Sequence, residues 1–283
     1  MNSICKNQTD TIDYGDMVIL YTDDKLMVEA KIKEGGEYAN HNGVFKHSAI
    51  VGKRFGTKLY SETMRGYVYL LKTSSTMHTL WLRHRTQILY APDISMVLLQ
   101  LDIKCGSTVI ESGTGSGSLS TSIAKTLLPA GHLYTFEFNK ERVRIAKEEF
   151  EDMGLEKFIT VTYRDVLQDG FKLETEESDY LDDKSDAVFL DLPSPWKAVK
   201  HAHKVLRHNG RLCNFSPCIE QVQKVWMLLH KLKFSHIRTI ECLSQVYTSQ
   251  NRGYKHLNYS DDEFDNDSEE EKQNGKNSKS KIF

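Results

Sequence analysis

The sequence predicts an α/β protein: a doubly wound parallel sheet, preceded by a small N-terminal β-rich, barrel-like module. Three observations carry that expectation. From Pro92 to Glu241 short apolar runs alternate with helix-length amphipathic segments, the pattern of βαβ units. A glycine-rich turn, Gly113-Thr-Gly-Ser-Gly117, follows one of those runs and opens one of the helices, as ligand-binding turns of such sheets do. Before Thr73 the apolar runs are short and separated by turn residues, which suits antiparallel strands.

The elements follow in order. Met17–Tyr21 and Leu26–Ile32 flank a turn and read as a hairpin. Gly35, Gly36, Asn42-Gly43, Gly52 and Gly56 punctuate the stretch before a strand at Gly66–Leu71. Pro92–Leu101 has a proline near its start and a strongly apolar face, hence a helix. Then come a strand at Ser107–Ile110, a helix at Ser118–Leu128, a strand at His132–Phe138 and a helix at Lys140–Met153 stopped by Gly154. Ile159–Tyr163 and Ala187–Leu190 are strands, and Trp196–Leu206 is a helix. Asn209-Gly210 turns into a strand at Arg211–Phe215, followed by a helix at Ile219–Lys231 and a strand at Ile237–Glu241. The domain reading is a tail over 1–13, the β-rich module over 14–75, the α/β domain over 76–250 and a disordered acidic tail over 251–283. Residues 174–186 read as an acidic loop insertion, disordered and held away from any polyanionic partner.

The chain has 283 residues, 37 Lys+Arg against 39 Asp+Glu, and a formal charge of −2. Hydrophobic residues at 39% and aromatics at 10% support a sizeable core and exclude wholesale disorder. No run approaches the ~20 apolar residues of a membrane span, and the N-terminus lacks the apolar region of a secretory signal. Five scattered cysteines with no Cys-x-x-Cys read as reduced thiols of an intracellular protein, with no zinc site and no metal expected. The charge is uneven: residues 261–283 carry −4 and residues 174–186 carry −6, which leaves +8 on the remainder. A moderately basic body fits a polyanionic partner, and an ordinary solvated surface equally well.

The chemistry concentrates at strand ends. In Glu111-Ser-Gly-Thr-Gly-Ser-Gly-Ser118 the glycines let the turn take positive φ and let a ligand approach the backbone. The third glycine comes one residue earlier than in the dinucleotide fingerprint, and Glu111 stands just before the loop. A carboxylate there repels a pyrophosphate and attracts an ammonium, which favours S-adenosylmethionine over NAD. Glu137, at the end of the next strand, is placed to accept from ribose hydroxyls, and Asp165-Val166 follows the strand after it, where the carboxylate reaches an adenine amine. Asp191-Leu-Pro-Ser-Pro-Trp196 holds two of only five prolines, so a stiff loop presents Asp191 at the edge where ligands bind. Similar loops in N-methyltransferases acting on bases bond the exocyclic amine.

His84-Arg-Thr-Gln-Ile-Leu-Tyr90, the Glu111–Ser118 loop, Asp191–Trp196 and Ser216-Pro-Cys-Ile-Glu-Gln-Val222 together resemble the catalytic subunit of eukaryotic tRNA (adenine-58-N1)-methyltransferase. The resemblance runs from about Gly15 to Tyr247. It implies a Rossmann-like methyltransferase domain, S-adenosylmethionine as cofactor, a tRNA substrate, a non-catalytic RNA-binding partner of similar fold in a heterotetramer with two copies of each, and residence in the nucleus. It implies cofactor contacts at Leu89, Ser116, Gly117, Ser118, Glu137, Arg142, Asp165, Val166 and Asp191, beside the Glu111, Gly113 and Gly115 read from the loop itself. RNA contacts fall around Tyr38–Lys46, on Arg85, Thr86, Gln87 and Tyr90, on Leu192, Pro193 and Ser194, and on Ser216. Arg85 and Gln87 are expected to bond phosphate or base edges and Tyr90 to stack. The family's usual final strand, of Gly-His-Thr-Gly-Tyr-Leu type, has no counterpart here, which leaves a sheet edge open. Two other readings stand beside this one: a methyltransferase acting on another RNA or on protein isoaspartate, and an RNA-binding subunit of the same fold without turnover.

Overall fold

A computed structural model describes residues 10–23, 26–173, 180–245 and 247. The described residues through Ile240 form one compact unit, and those from Glu241 belong to a second. The acidic tail over 251–283 and positions 174–179 lie outside the described residues.

The N-terminal segment is built from alternation. β1 (Met17–Asp23) and β2 (Leu26–Lys31) form the expected antiparallel hairpin. β3 (Glu37–Asn40) and β4 (Gly43–Lys46) pair across the Asn42-Gly43 turn and lead into a single turn of helix, α1 (His47–Ile50). β5 (Lys58–Tyr60) and β6 (Tyr67–Lys72) complete a four-stranded sheet in the order β2-β1-β6-β5. Val18 and Leu20 of β1 and Val68 and Leu70 of β6 are fully buried on one face, and Ile19 of β1 is buried on the other. The boundary expected after Asp13 falls inside this module: Ile12 is fully buried, its N–H donates to the Lys53 carbonyl (2.9 Å), and its carbonyl accepts from Gly52 (2.8 Å).

A helix that the apolar pattern did not announce, α2 (Ser75–Trp81), joins the module to the rest; Ser74 caps it by accepting from the Met77 N–H at 3.1 Å. Then follow α3 (Ala91–Gln100), β7 (Thr108–Ser112), α4 (Ser118–Leu127), β8 (His132–Glu137), α5 (Lys140–Asp152), β9 (Ile159–Tyr163) and the one-turn α6 (Val166–Asp169). β10 (Ser185–Asp191), α7 (Pro195–Val205), β11 (Leu206–Phe215) and α8 (Ile219–Lys231) complete the elements. The five strands β7 to β11 are parallel in the order β11-β10-β7-β8-β9. Val109, Ala187 and Phe189 pack with α3, α4 and α5, while Ile110, Val188 and Leu190 pack with α7 and α8. Successive residues thus fill opposite faces, which is why these strands read as continuous apolar runs. The order reverses between β7 and β10, and that reversal opens a crevice at the carboxyl ends of the two strands.

Three expectations need correction. Ile237–Glu241 forms no strand: Ile237 packs against the α7–α8 side of the core and Arg238 donates to Gln100 at 2.5 Å, but among the described residues no ladder partner lies beside the segment. Apolar β-branched residues without a partner strand have no ladder to join. Within the acidic stretch, Tyr180–Asp186 is not a detached loop. Leu181 is buried, Asp182 pairs with Lys204 (2.7 Å), and Asp186 pairs with Arg207 (2.6 Å) while accepting from the Thr108 N–H (2.7 Å). Asn209-Gly210 is an excursion within β11 rather than a turn before it: Ser185 pairs with Leu206 and Ala187 with Arg211, so residues 207–210 bulge out.

The module is fastened to α2 by a buried polar pair. Glu29 of β2 and His78 bond at 2.9 Å, their side chains only 6% and 7% exposed. Replacing His78 with alanine leaves the Glu29 carboxylate buried without that partner. The expected loss is about 3 kcal/mol, read as a fall of roughly 6–12 °C in the thermal unfolding midpoint; an unchanged midpoint would show that the pair is not a fastening.

Candidate active site

β7, β8 and β10 deliver one acid each to the crevice. Glu111 is the penultimate residue of β7 and is 1% exposed; it pairs in register with Thr135 of β8. Burial pushes its carboxyl up to about 7, against the hydrogen bonds from Ser120 and Thr135 and with the charges of Asp191 and Glu137 adding to the rise. Ser120, on the first turn of α4, donates to Glu111 at 2.5 Å. Glu137 ends β8 and is also buried: one oxygen accepts from the Gly115 N–H (3.1 Å), the other from Arg142 (2.8 Å) and the Asn139 N–H (3.1 Å). Asp191 ends β10, half-buried, and burial raises its carboxyl to about 6. Three acids close enough to feel one another make an electronegative crevice, which favours a cationic ligand.

The glycine loop closes over that crevice by backbone geometry that a side chain would not allow. Gly113 sits at φ +97°, and a Cβ there would overlap the Asp191 carbonyl oxygen. Gly115 sits at φ +54°, and a Cβ there would come within 2.7 Å of the Thr86 hydroxyl. Gly117 is the N-cap of α4, so the loop feeds directly into the positive end of a helix.

The segment before α3 lies on the loop. Ser116 accepts from the Arg85 N–H (2.9 Å) and the Thr86 N–H (3.1 Å). Ser118 donates to the Leu89 carbonyl (3.2 Å) and lies 2.9 Å from the Thr79 hydroxyl. Hydrogen bonds thus join Arg85, Thr86, Gly115, Ser116, Glu137 and Arg142 in one network; Leu89 meets Ser118 beside it, and the Gly113 backbone lies against the Asp191 carbonyl. Asp165 stands near it, since the Arg164 N–H donates to the Glu137 carbonyl at 2.9 Å, but its carboxylate caps α6 through Leu167 (3.0 Å) and bonds Gln168 (2.9 Å). Val166 is buried behind it. Gln87 and Tyr90 are exposed, Tyr90 edge-on to His84. Leu192 packs partly into the core, the Pro193 carbonyl accepts from Gln221 (3.0 Å), Ser194 precedes α7, and Ser216 lies 2.8 Å from the Asn214 amide. These last six residues stand apart from that network.

Sequence reasoning missed Ser120, Thr135 and Glu149. Thr135 shares its strand face with Glu137, two residues on, and Ser120 is a polar residue at a fully buried helical position. Glu149 left no signal: it bonds Arg85 from 64 residues away.

Residues 66–282 match the family described as tRNA methyltransferase complex GCD14 subunit. The chain belongs to this family. Among named relatives, it is 42% identical over 261 residues to the tRNA (adenine(58)-N(1))-methyltransferase catalytic subunit of Dictyostelium discoideum, covering 92% of this chain and 82% of that one. The corresponding subunit of Schizosaccharomyces pombe is 40% identical over 81% of this chain, which spans 63% of the yeast protein. Among solved structures, a SAM-dependent O-methyltransferase from Thermotoga maritima aligns at TM-score 0.72 and 26% identity over 85% of both chains. The tRNA (m1A58) methyltransferase TrmI from Aquifex aeolicus aligns at TM-score 0.62 and 22% identity over 78% of this chain and 82% of its own. The two neighbours methylate different kinds of atom, so the fold does not choose the acceptor; the family does. Among the described residues no helix is long and apolar enough to cross a membrane.

Proposed function

We propose that the chain is the catalytic subunit of a tRNA methyltransferase and transfers the methyl group of S-adenosylmethionine to N1 of adenine 58. The carrying observation is the crevice of three acids roofed by a glycine loop, in a chain of this family. Its fit to the cofactor rests on charge and space: Glu111, Glu137 and Asp191 suit a ligand bearing an ammonium and a sulfonium, and the left-handed glycines leave the backbone bare where it must lie. Glu111 receives the amino group, Glu137 the ribose hydroxyls, and Leu89, Ser116, Gly117, Ser118, Arg142, Asp165 and Val166 line the remainder. When bound, the cofactor supplies an electrophilic methyl group.

The chain's own part is positioning and electrostatics. N1 lies on the Watson–Crick edge, so the base must leave its stack to reach the crevice. Asp191 accepts from the exocyclic N6–H, aligns N1 and stabilises the positive charge that methylation places on the ring. The stiff Leu192-Pro-Ser194 stretch, Gln87, Tyr90 and Ser216 border the mouth on the RNA side. A non-catalytic RNA-binding subunit of similar fold completes the tRNA grip, two copies of each chain assemble, and the complex works in the nucleus.

The test is methyl transfer from S-adenosylmethionine to tRNA, with and without the co-expressed partner, read by mapping the modified position. Transfer to adenine 58 that depends on the partner is expected. Equal counts from wild type and Asp191→Ala would remove the enzymatic reading, and full activity without a partner would remove the two-subunit one.

A further inference from the structure

The charge of Arg85 is committed inside the protein. Its guanidinium makes a two-pronged bond to Glu149 of α5, at 2.6 and 2.9 Å, and one of its nitrogens lies 3.5 Å from the Gly115 carbonyl. The third nitrogen, Nε, is buried without a partner in the structure, and the side chain is only 16% exposed. Both terminal nitrogens are engaged, and little of the side chain is open to a phosphate. Its backbone N–H meanwhile donates to Ser116, as does that of Thr86, so the residue grips the glycine loop from above while its side chain reaches α5. That helix is the one that carries Arg142, the partner of Glu137, and Phe150, which a Cβ on Gly117 would meet at 3.2 Å.

We propose that Arg85 and Glu149 form a latch that holds the 85–89 segment on the glycine loop, making Arg85 a positioning residue for the cofactor and not a contact for RNA. The proposal rests on the methyltransferase reading above. A planar guanidinium matched to a carboxylate fixes both distance and angle, which an ammonium cannot do. The latch spans two elements that flank the loop, so opening it frees the loop's roof without removing any group that touches the ligand.

The test compares Arg85→Gln, Glu149→Gln, Arg85→Lys and the exchanged pair Arg85→Glu with Glu149→Arg, in the full chain and in the complex. Calorimetric titration with S-adenosylmethionine is expected to give about tenfold weaker binding for both glutamine variants, a smaller loss for lysine, and partial recovery in the exchanged pair. In the complex, KM for the cofactor should rise while KM for tRNA and the salt dependence of tRNA binding stay unchanged. Glutamine variants that bind the cofactor like wild type overturn the latch. It also fails if Arg85→Gln weakens tRNA binding and lowers the salt slope by about one while Glu149→Gln does neither. A wild-type chain that does not bind the cofactor removes the methyltransferase reading itself, and the latch with it.

Discussion

Asp191→Ala is expected to lower kcat by about 10²–10³-fold, the usual consequence of removing a preorganised group aimed at developing charge. Asp191→Asn keeps an acceptor for the N6–H but gives up the negative charge, and is expected to lose about tenfold, the difference between a charged and a neutral hydrogen bond. The pH profile separates the two contributions. Burial raises the Asp191 carboxyl to about 6, and only the ionised form offsets the positive ring. Activity should therefore fall as pH drops through about 6. A cationic ligand beside the group moves that acid limb lower, never higher. Read as kcat at saturating S-adenosylmethionine, so that cofactor binding at Glu111 does not enter, the limb should vanish in Asp191→Asn; an identical acid limb in the asparagine variant would assign it elsewhere.

Gly113→Ala is expected to be nearly as severe for a different reason. A left-handed φ costs an alanine about 1–2 kcal/mol, and the overlap of its Cβ with the Asp191 carbonyl adds about 1–3 kcal/mol. Either the loop or the end of β10 must give way, and both are part of the crevice. Affinity for S-adenosylmethionine should fall by about 10²-fold, since every 1.4 kcal/mol is tenfold. Calorimetry gives the affinity, and urea unfolding of the same variant separates a lost fold from a lost site. Wild-type affinity in a folded variant would mean that the loop does not line the cofactor.

Much of this arrangement was legible because the responsible signals are local. The strand-turn-helix at Glu111–Ser118 is written in glycine, and the apolar runs at Val109-Ile110 and Ala187–Leu190 announce strands covered on both faces. The acids at strand ends fell into the crevice because parallel strands all present the same end. What sequence reading missed depends on register or on distant partners. Thr135 meets Glu111 only once β7 and β8 are aligned. Arg85 reads as a surface cation until Glu149 is seen beside it. Ile237–Glu241 has strand composition but, among the described residues, no neighbour to pair with, and composition alone cannot show that. The acidic run over 174–186 reads as a loop because its carboxylates give no hint that Lys204 and Arg207 stand opposite two of them.

The short helix α2 links the four-stranded and five-stranded sheets mechanically. His78 holds Glu29 of the N-terminal sheet, and the next residue, Thr79, lies against Ser118, where the glycine loop becomes α4. Lys31 reaches the end of α5 through Asp152 at 2.9 Å. The N-terminal sheet therefore braces the elements that carry the glycine loop. A chain cut at Ser74 would keep all five parallel strands, yet His78 would lose its carboxylate and the loop's outer brace would stand unsupported. Transplanting the parallel sheet alone into another protein would move the acids without the frame that holds them in place.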